Sequence, residues 1–197
     1  AAQRHLGTTN RALQASQQKL ASGSRISRAA DDAAGLAISE KMKSHIRSVN
    51  QDIRNAMDGI SMIQTAEGGM NEIGNIITRF RELSIQAASD TLSNVERGFI
   101  DKEVQQLREE IDRIATSTEF NGKKLLSQEG DILEIQIGIN NDPTKDRFYL
   151  DLSKTSSTLD RLGLSDISVT NKASAQENLE KIDMAISVLS ENRAEVG

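Results

Sequence analysis

The sequence predicts a mainly α protein: an elongated antiparallel bundle of a long helix, a second helix and a C-terminal helix, with one β-hairpin. Three observations carry that prediction. Apolar residues recur at alternating spacings of four and three over long stretches of the 197 residues, the single proline falls outside them, and one segment switches to strict alternation. Heptad-spaced aliphatic side chains let a helix present one continuous seam to its neighbours.

In chain order, Leu6, Leu13 and Leu20 sit at heptad spacing and make residues 1–22 the remnant of an amino-terminal helix. Ser22-Gly23-Ser24-Arg25 interrupts it, so 23–35 reads as a connecting spoke and 36–197 as the main rod domain. Asp31-Asp32 stand before an Ala-rich run, where carboxylates suit the positive end of a helix and cap it. The spacing of a calcium-binding loop is missing there. Met42, Ile46, Val49, Ile53, Ala56, Ile60 and Ile63 then form a seam, and Met70, Ile73, Ile77, Phe80, Leu83 and Ala87 resume it beyond Gly68-Gly69. Two interior glycines cost on the order of 1 kcal/mol each against Ala, which the resumed stripe outweighs, so one helix is expected over about 36–88. Such a helix is about 80 Å long at its standard rise, hence the rod.

Ser89 to Asn94 supply turn and cap residues, and Ile100, Val104, Leu107, Ile111 and Ile114 define a second helix over 94–118 that Asn121-Gly122 stops. A short link makes the two antiparallel. Leu133, Ile135, Ile137 and Ile139, a turn containing Pro143, then Phe148, Leu150 and Leu152 read as a hairpin over 131–152. The last helix, 172–197, carries Leu179, Ile182, Ile186, Leu189 and Val196, with Arg193 in one seam slot. The expected packing seam is therefore Ile46, Val49, Ile53, Ile60 and Ile63 with Val104, Leu107, Ile111 and Ile114, and with Leu179, Ile182, Ile186 and Leu189.

Composition narrows the function. A net charge of −5 and a pI near 5.2 argue against a chain built to coat nucleic acid. The absence of Cys removes a disulfide framework, a zinc ribbon and a thiol nucleophile, and leaves the redox compartment unread. No apolar run reaches the roughly 18 residues of a membrane span, no signal peptide opens the chain, and an initial Ala points to a fragment or a processed form. His5 and His45 are far apart and outside any metal-ligand spacing, and no GxSxG or phosphate-loop pattern occurs. No catalytic, cofactor or metal residue is expected, and the chain reads as no enzyme.

A more specific signal lies in Leu20-Ala21-Ser22-Gly23-Ser24-Arg25-Ile26-Ser27-Arg28-Ala29-Ala30-Asp31-Asp32-Ala33-Ala34-Gly35-Leu36-Ala37-Ile38. It is followed in order by Thr65-Ala66-Glu67-Gly68-Gly69-Met70-Asn71-Glu72-Ile73, Arg79-Phe80-Arg81-Glu82-Leu83-Ser84-Ile85-Gln86, Glu110-Ile111-Asp112-Arg113-Ile114, Phe120-Asn121-Gly122-Lys123-Lys124-Leu125-Leu126 and Ile182-Asp183. Together these stretches resemble bacterial flagellin over nearly the whole chain. Hook–filament junction proteins share the helical plan and much of the first motif and stand as the alternative, with a soluble helical adaptor as a second.

The resemblance implies a secreted structural subunit that self-assembles with its copies into the extracellular flagellar filament for motility. It implies an export chaperone, a filament cap and the flagellin-sensing Toll-like receptor as further partners, with neither nucleic acid nor membrane insertion. The opening apolar stretch and the long final helix of the family are absent, so this chain is expected to stay monomeric. The connector near Thr170 to Ala173, where many flagellins insert outer domains, is only a few residues long. The positions matching the receptor motif are Arg79, Leu83 and Glu103, while Thr78 and Phe80 differ from its commonest residues. Gly68-Gly69 and the hairpin are the expected places for register shifts between stacked subunits.

Overall fold

The computed structural model describes residues 2–26, 28–127 and 130–196, so that Ser27 of the spoke and Gly197 at the end of the third expected helix lie outside the described residues. It divides into two compact units, Ala1–Ile53 and Arg54–Gly197, with the boundary inside the long helix rather than in the spoke. Among the described residues no helix is long and apolar enough to cross a membrane.

The first unit holds α1 (Ala2–Ser22), which buries no residue, and the opening turns of α2 (Ala33–Ala87). The two acids expected to cap α2 divide the work. Asp32 Oδ1 accepts from the Gly35 N–H at 2.8 Å, which satisfies one free donor of the first turn. Asp31 instead lies 3.2 Å from Lys19 Nζ of α1. The apolar stripe of this part of α2 is uncovered: Ile38, Met42, Ile46, Val49 and Ile53 are all exposed.

That corrects the expected seam. Ile46, Val49, Ile53 and Ile60 are exposed and Ile63 is half-buried, because the buried face of α2 begins only at Gly59. From there on the helix carries the core of the second unit. Met70, Ile73, Ile77, Phe80 and Leu83 are each at most 1% exposed, and burying an aliphatic side chain of this size contributes roughly 1.5–3 kcal/mol. Against this stripe pack Val104, Ile111 and Ala115 of α3 (Asn94–Ser117), with Leu107 and Ile114 half-buried at its margins.

The Asn121-Gly122 pair does more than stop α3. With φ of 50° and 78° its two residues form the tight turn of a small hairpin, β1 (Glu119–Phe120) with β2 (Lys123–Lys124). The expected hairpin follows as β3 (Ile132–Gln136) with β4 (Arg147–Asp151), antiparallel, with Leu133 opposite Leu150 and Ile135 opposite Phe148. Ile137 and Ile139, expected on the same strand, lie past its end and are exposed.

After β4 the chain makes a one-turn helix, α4 (Leu159–Leu162), and reaches α5 (Lys172–Val196) through a strap that α3 grips by its backbone. Asp101 Oδ1 accepts from the Val169 N–H at 2.7 Å, Gln105 donates to the Ile167 carbonyl at 3.0 Å and Arg108 to that of Ser165 at 2.9 Å. The face that α5 buries is Ala175, Asn178, Ile182, Ala185, Leu189, Asn192 and Val196. Ile182 and Leu189 are in it, while Leu179 and Ile186 are only half-buried and Arg193 is exposed, its slot being taken by Asn192. The helix is rotated so that its two asparagines meet carbonyls of the connector.

The glycine pair splits in the same way. A Cβ on Gly69 would lie 2.7 Å from Leu126 Cδ1 and 2.8 Å from Thr118 Oγ1, both in packed surroundings, whereas nothing lies within 4 Å of one on Gly68. Gly69→Ala is expected to cost about 1–3 kcal/mol by overpacking, and Gly68→Ala to stabilise by up to about 1 kcal/mol, both read from urea unfolding midpoints.

The α2–α3 corner makes a second prediction. Ser93 Oγ accepts from the Glu96 N–H at 3.4 Å while the Ser93 N–H donates to Glu96 Oε2 at 2.7 Å, a complete capping box. The Ser93 backbone bond, then its side chain, hold the Glu96 carboxyl below its usual range. The folded pKa lies under the unfolded one, so the stabilisation is full above the ordinary carboxylate range and is lost as pH falls from there through the lower folded pKa. Glu96→Gln should therefore lower the unfolding midpoint near pH 7, and the gap to the parent should shrink as the pH is taken below the ordinary carboxylate range.

Candidate interaction face

The corner also sets how α2 and α3 face each other. Arg97, buried in the first turn of α3, donates from Nε to the Ala87 carbonyl at 2.7 Å and from Nη2 to that of Ser89 at 2.7 Å. A cation on the free carbonyls that end α2 is favoured by the helix dipole, and Asn94 Oδ1 accepts the third bond at 2.9 Å. With the corner pinned, α3 returns along α2 and brings Glu103 beside Arg79.

There the Arg79 guanidinium joins both helices. Its Nη1 lies 2.8 Å from Glu82 Oε2 on its own helix, and its Nε and Nη2 lie 3.0 and 2.9 Å from Glu103 Oε1 across the gap. Hydrogen bonds to Glu82, then to Glu103, hold the guanidinium more firmly protonated than free arginine. The group stays close to half exposed, so water and salt screen these pairs and they add little stability. Their physical value is a planar donor, prearranged at the surface, with a carboxylate on either side.

Leu83 is not part of that surface. It is 1% exposed and continues the core stripe of Ile77 and Phe80, so that of the three positions matching the receptor motif only Arg79 and Glu103 reach the surface here. Four helical residues advance about 40° beyond a full turn, and here the offset carries Leu83 under the rim. The structure thus brings Arg79 and Glu103 together, adds Glu82, which the sequence reading did not single out, and places Leu83 beneath them.

Elsewhere the chemistry is sparse. His5 and His45 are both exposed, and among the described residues no three His, Cys, Asp or Glu side chains are grouped to hold a metal ion. An open concavity of about 360 Å³ is floored by Gly59, Met62, Phe120, Leu133 and Ile135, with Asp58, Glu134 and Lys123 at its rim.

The sequence profile described as the bacterial flagellin N-terminal helical region matches residues 1–131, well over half of the chain. The chain belongs to the flagellin family. This flagellin is 41% identical over 196 residues to a flagellin of Halalkalibacterium halodurans, a match covering 100% of this chain and 71% of that one. It is 39% identical to the flagellar filament 30.7 kDa core protein of Treponema maltophilum, covering 100% of this chain and 72% of that one. Among solved structures, it resembles the Bacillus cereus flagellin with a TM-score of 0.63 at 33% identity, covering 73% of this chain and 81% of that chain. The helical bundle with its small antiparallel strands is thus the flagellin architecture.

Burial separates the roles of the face residues. Leu83→Ala in this flagellin should cost about 2–5 kcal/mol in urea unfolding, the range for a fully buried Leu, while Arg79→Ala should leave the midpoint where it was.

Proposed function

We propose that this flagellin is a structural subunit of the bacterial flagellar filament, exported from the cell and assembled outside it with other flagellin subunits. The observation that carries this is similarity over the full chain to flagellins and to filament core proteins. Its role is mechanical, in motility, and it needs neither catalysis nor a cofactor. An export chaperone and a filament cap are its partners during assembly.

The test is to extend the chain at both ends with the corresponding segments of the Halalkalibacterium flagellin and seed it with filament fragments. Pelletable polymers seen by electron microscopy are expected. A chain that stays monomeric through the same protocol would be a junction protein or a soluble adaptor instead.

The same family reading makes the chain a ligand of the flagellin-sensing Toll-like receptor through Arg79 and Glu103, with Leu83 supporting the helix surface from below. An arginine flanked by carboxylates is the kind of side chain in which interface energy concentrates. Arg79→Ala is expected to weaken binding to the receptor ectodomain about tenfold or more without changing the unfolding midpoint. Unaltered affinity would remove Arg79 from the contact.

A further inference from the structure

The buried face of α5 repeats at spacings of three and four without a break, and two of its seven positions are asparagine. Asn178 and Asn192 are two heptads apart, on the same side of the helix, and 2% and 6% exposed. Each spends its amide on a main-chain carbonyl of the connector: Asn178 Nδ2 on Ser168 at 2.5 Å and Asn192 Nδ2 on Ser156 at 2.8 Å. The second bond belongs to a larger knot. Thr155, Ser156 and Ser157 are buried, Thr155 Oγ1 donates to the Leu125 carbonyl at 2.7 Å, and the Ser157 N–H donates to that of Leu126 at 2.9 Å. The Leu125 N–H in turn donates to the Thr118 carbonyl at the end of α3, and Leu126 and Thr118 are the side chains that close on Gly69 of α2.

We propose that Asn178 and Asn192 form a register lock that fixes the axial position of α5 against the rest of the bundle. The aliphatic seam alone does not do this. A slip of one heptad, about 10 Å, would set Ile182 where Leu189 sits, an exchange that a core tolerates. It would also put Ala185 under the Ser156 carbonyl and Asn178 in the place of Ala185, leaving a buried acceptor unpaired and a buried amide without its partner. The bridges that line up α5 from outside, Arg81 of α2 to Asp183 at 2.9 Å and Asp90 of the α2–α3 turn to Lys172 at 2.7 Å, are exposed and screened, so they follow the register rather than impose it. Asparagine in the seam gives up apolar burial and gains a single allowed alignment.

The chain has no cysteine, so introduced thiols report the register directly. R81C/D183C marks the native alignment and R81C/Q176C the alignment one heptad away, both read by a short bis-maleimide. In the parent background the first pair should cross-link and the second scarcely at all. In the N178L/N192L background, with helicity checked by circular dichroism, the slipped pair should rise about tenfold or more. N178L alone, which leaves the knot at Asn192 intact, should give a smaller rise and serves if the double variant does not fold. A folded variant whose slipped pair stays at the parent level would overturn the lock, whatever happens to its stability, because a purely structural asparagine changes the midpoint and not the partner.

Discussion

Burial of one stripe of α2, from Met62 to Ala87, is the constraint on which the other elements of the second unit depend. α3, the connector and α5 each bring apolar residues to the core built on that stripe, and Leu150 of β4 and Leu152 just after it join the same core. Its neighbours here are of two kinds, helices that run antiparallel to α2 and short segments with satisfied backbone. The polar knot between Thr118, Leu125, Leu126, Ser157 and Asn192 is the second kind: an irregular corner that can be buried because its carbonyls are bonded.

Much of this arrangement was legible in the sequence, for a physical reason. The three long helices and the hairpin follow from periods of 3.5 and two, which are local and strong. What stayed hidden depended on partners distant in the chain. In α5 two candidate faces share Ile182, Leu189 and Val196, and hydropathy favours the one with Leu179 and Ile186. The helix turns to the other because Asn178 and Asn192 find carbonyls on the connector. The small hairpin is signalled only by its Asn121-Gly122 turn, a pair that equally well marks nothing more than the end of α3.

The interaction face shows the same limit at the scale of one residue. Arg79 and Glu103 meet through a corner held by Arg97, whose buried bonds to Ala87 and Ser89 no spacing rule contains. Leu83 belongs both to the α2 stripe and to the positions matching the receptor motif, and in this fold its side chain is buried with the stripe. The uncovered residues from Ile38 to Ile60 mark the opposite limit: a heptad pattern states that a helix needs a partner, not which chain supplies it.

The strap ahead of α5 has one more consequence. Asp101, Gln105, Arg108 and Asn178 each bond its main chain, Asp101 also accepts from Ser168 Oγ, and its buried apolar side chains are Leu164, Ile167 and Val169. An outward residue such as Asp166 is therefore invisible to the grip. Mutational drift at such a position can rewrite what an antibody meets there while the fold beneath keeps its hold.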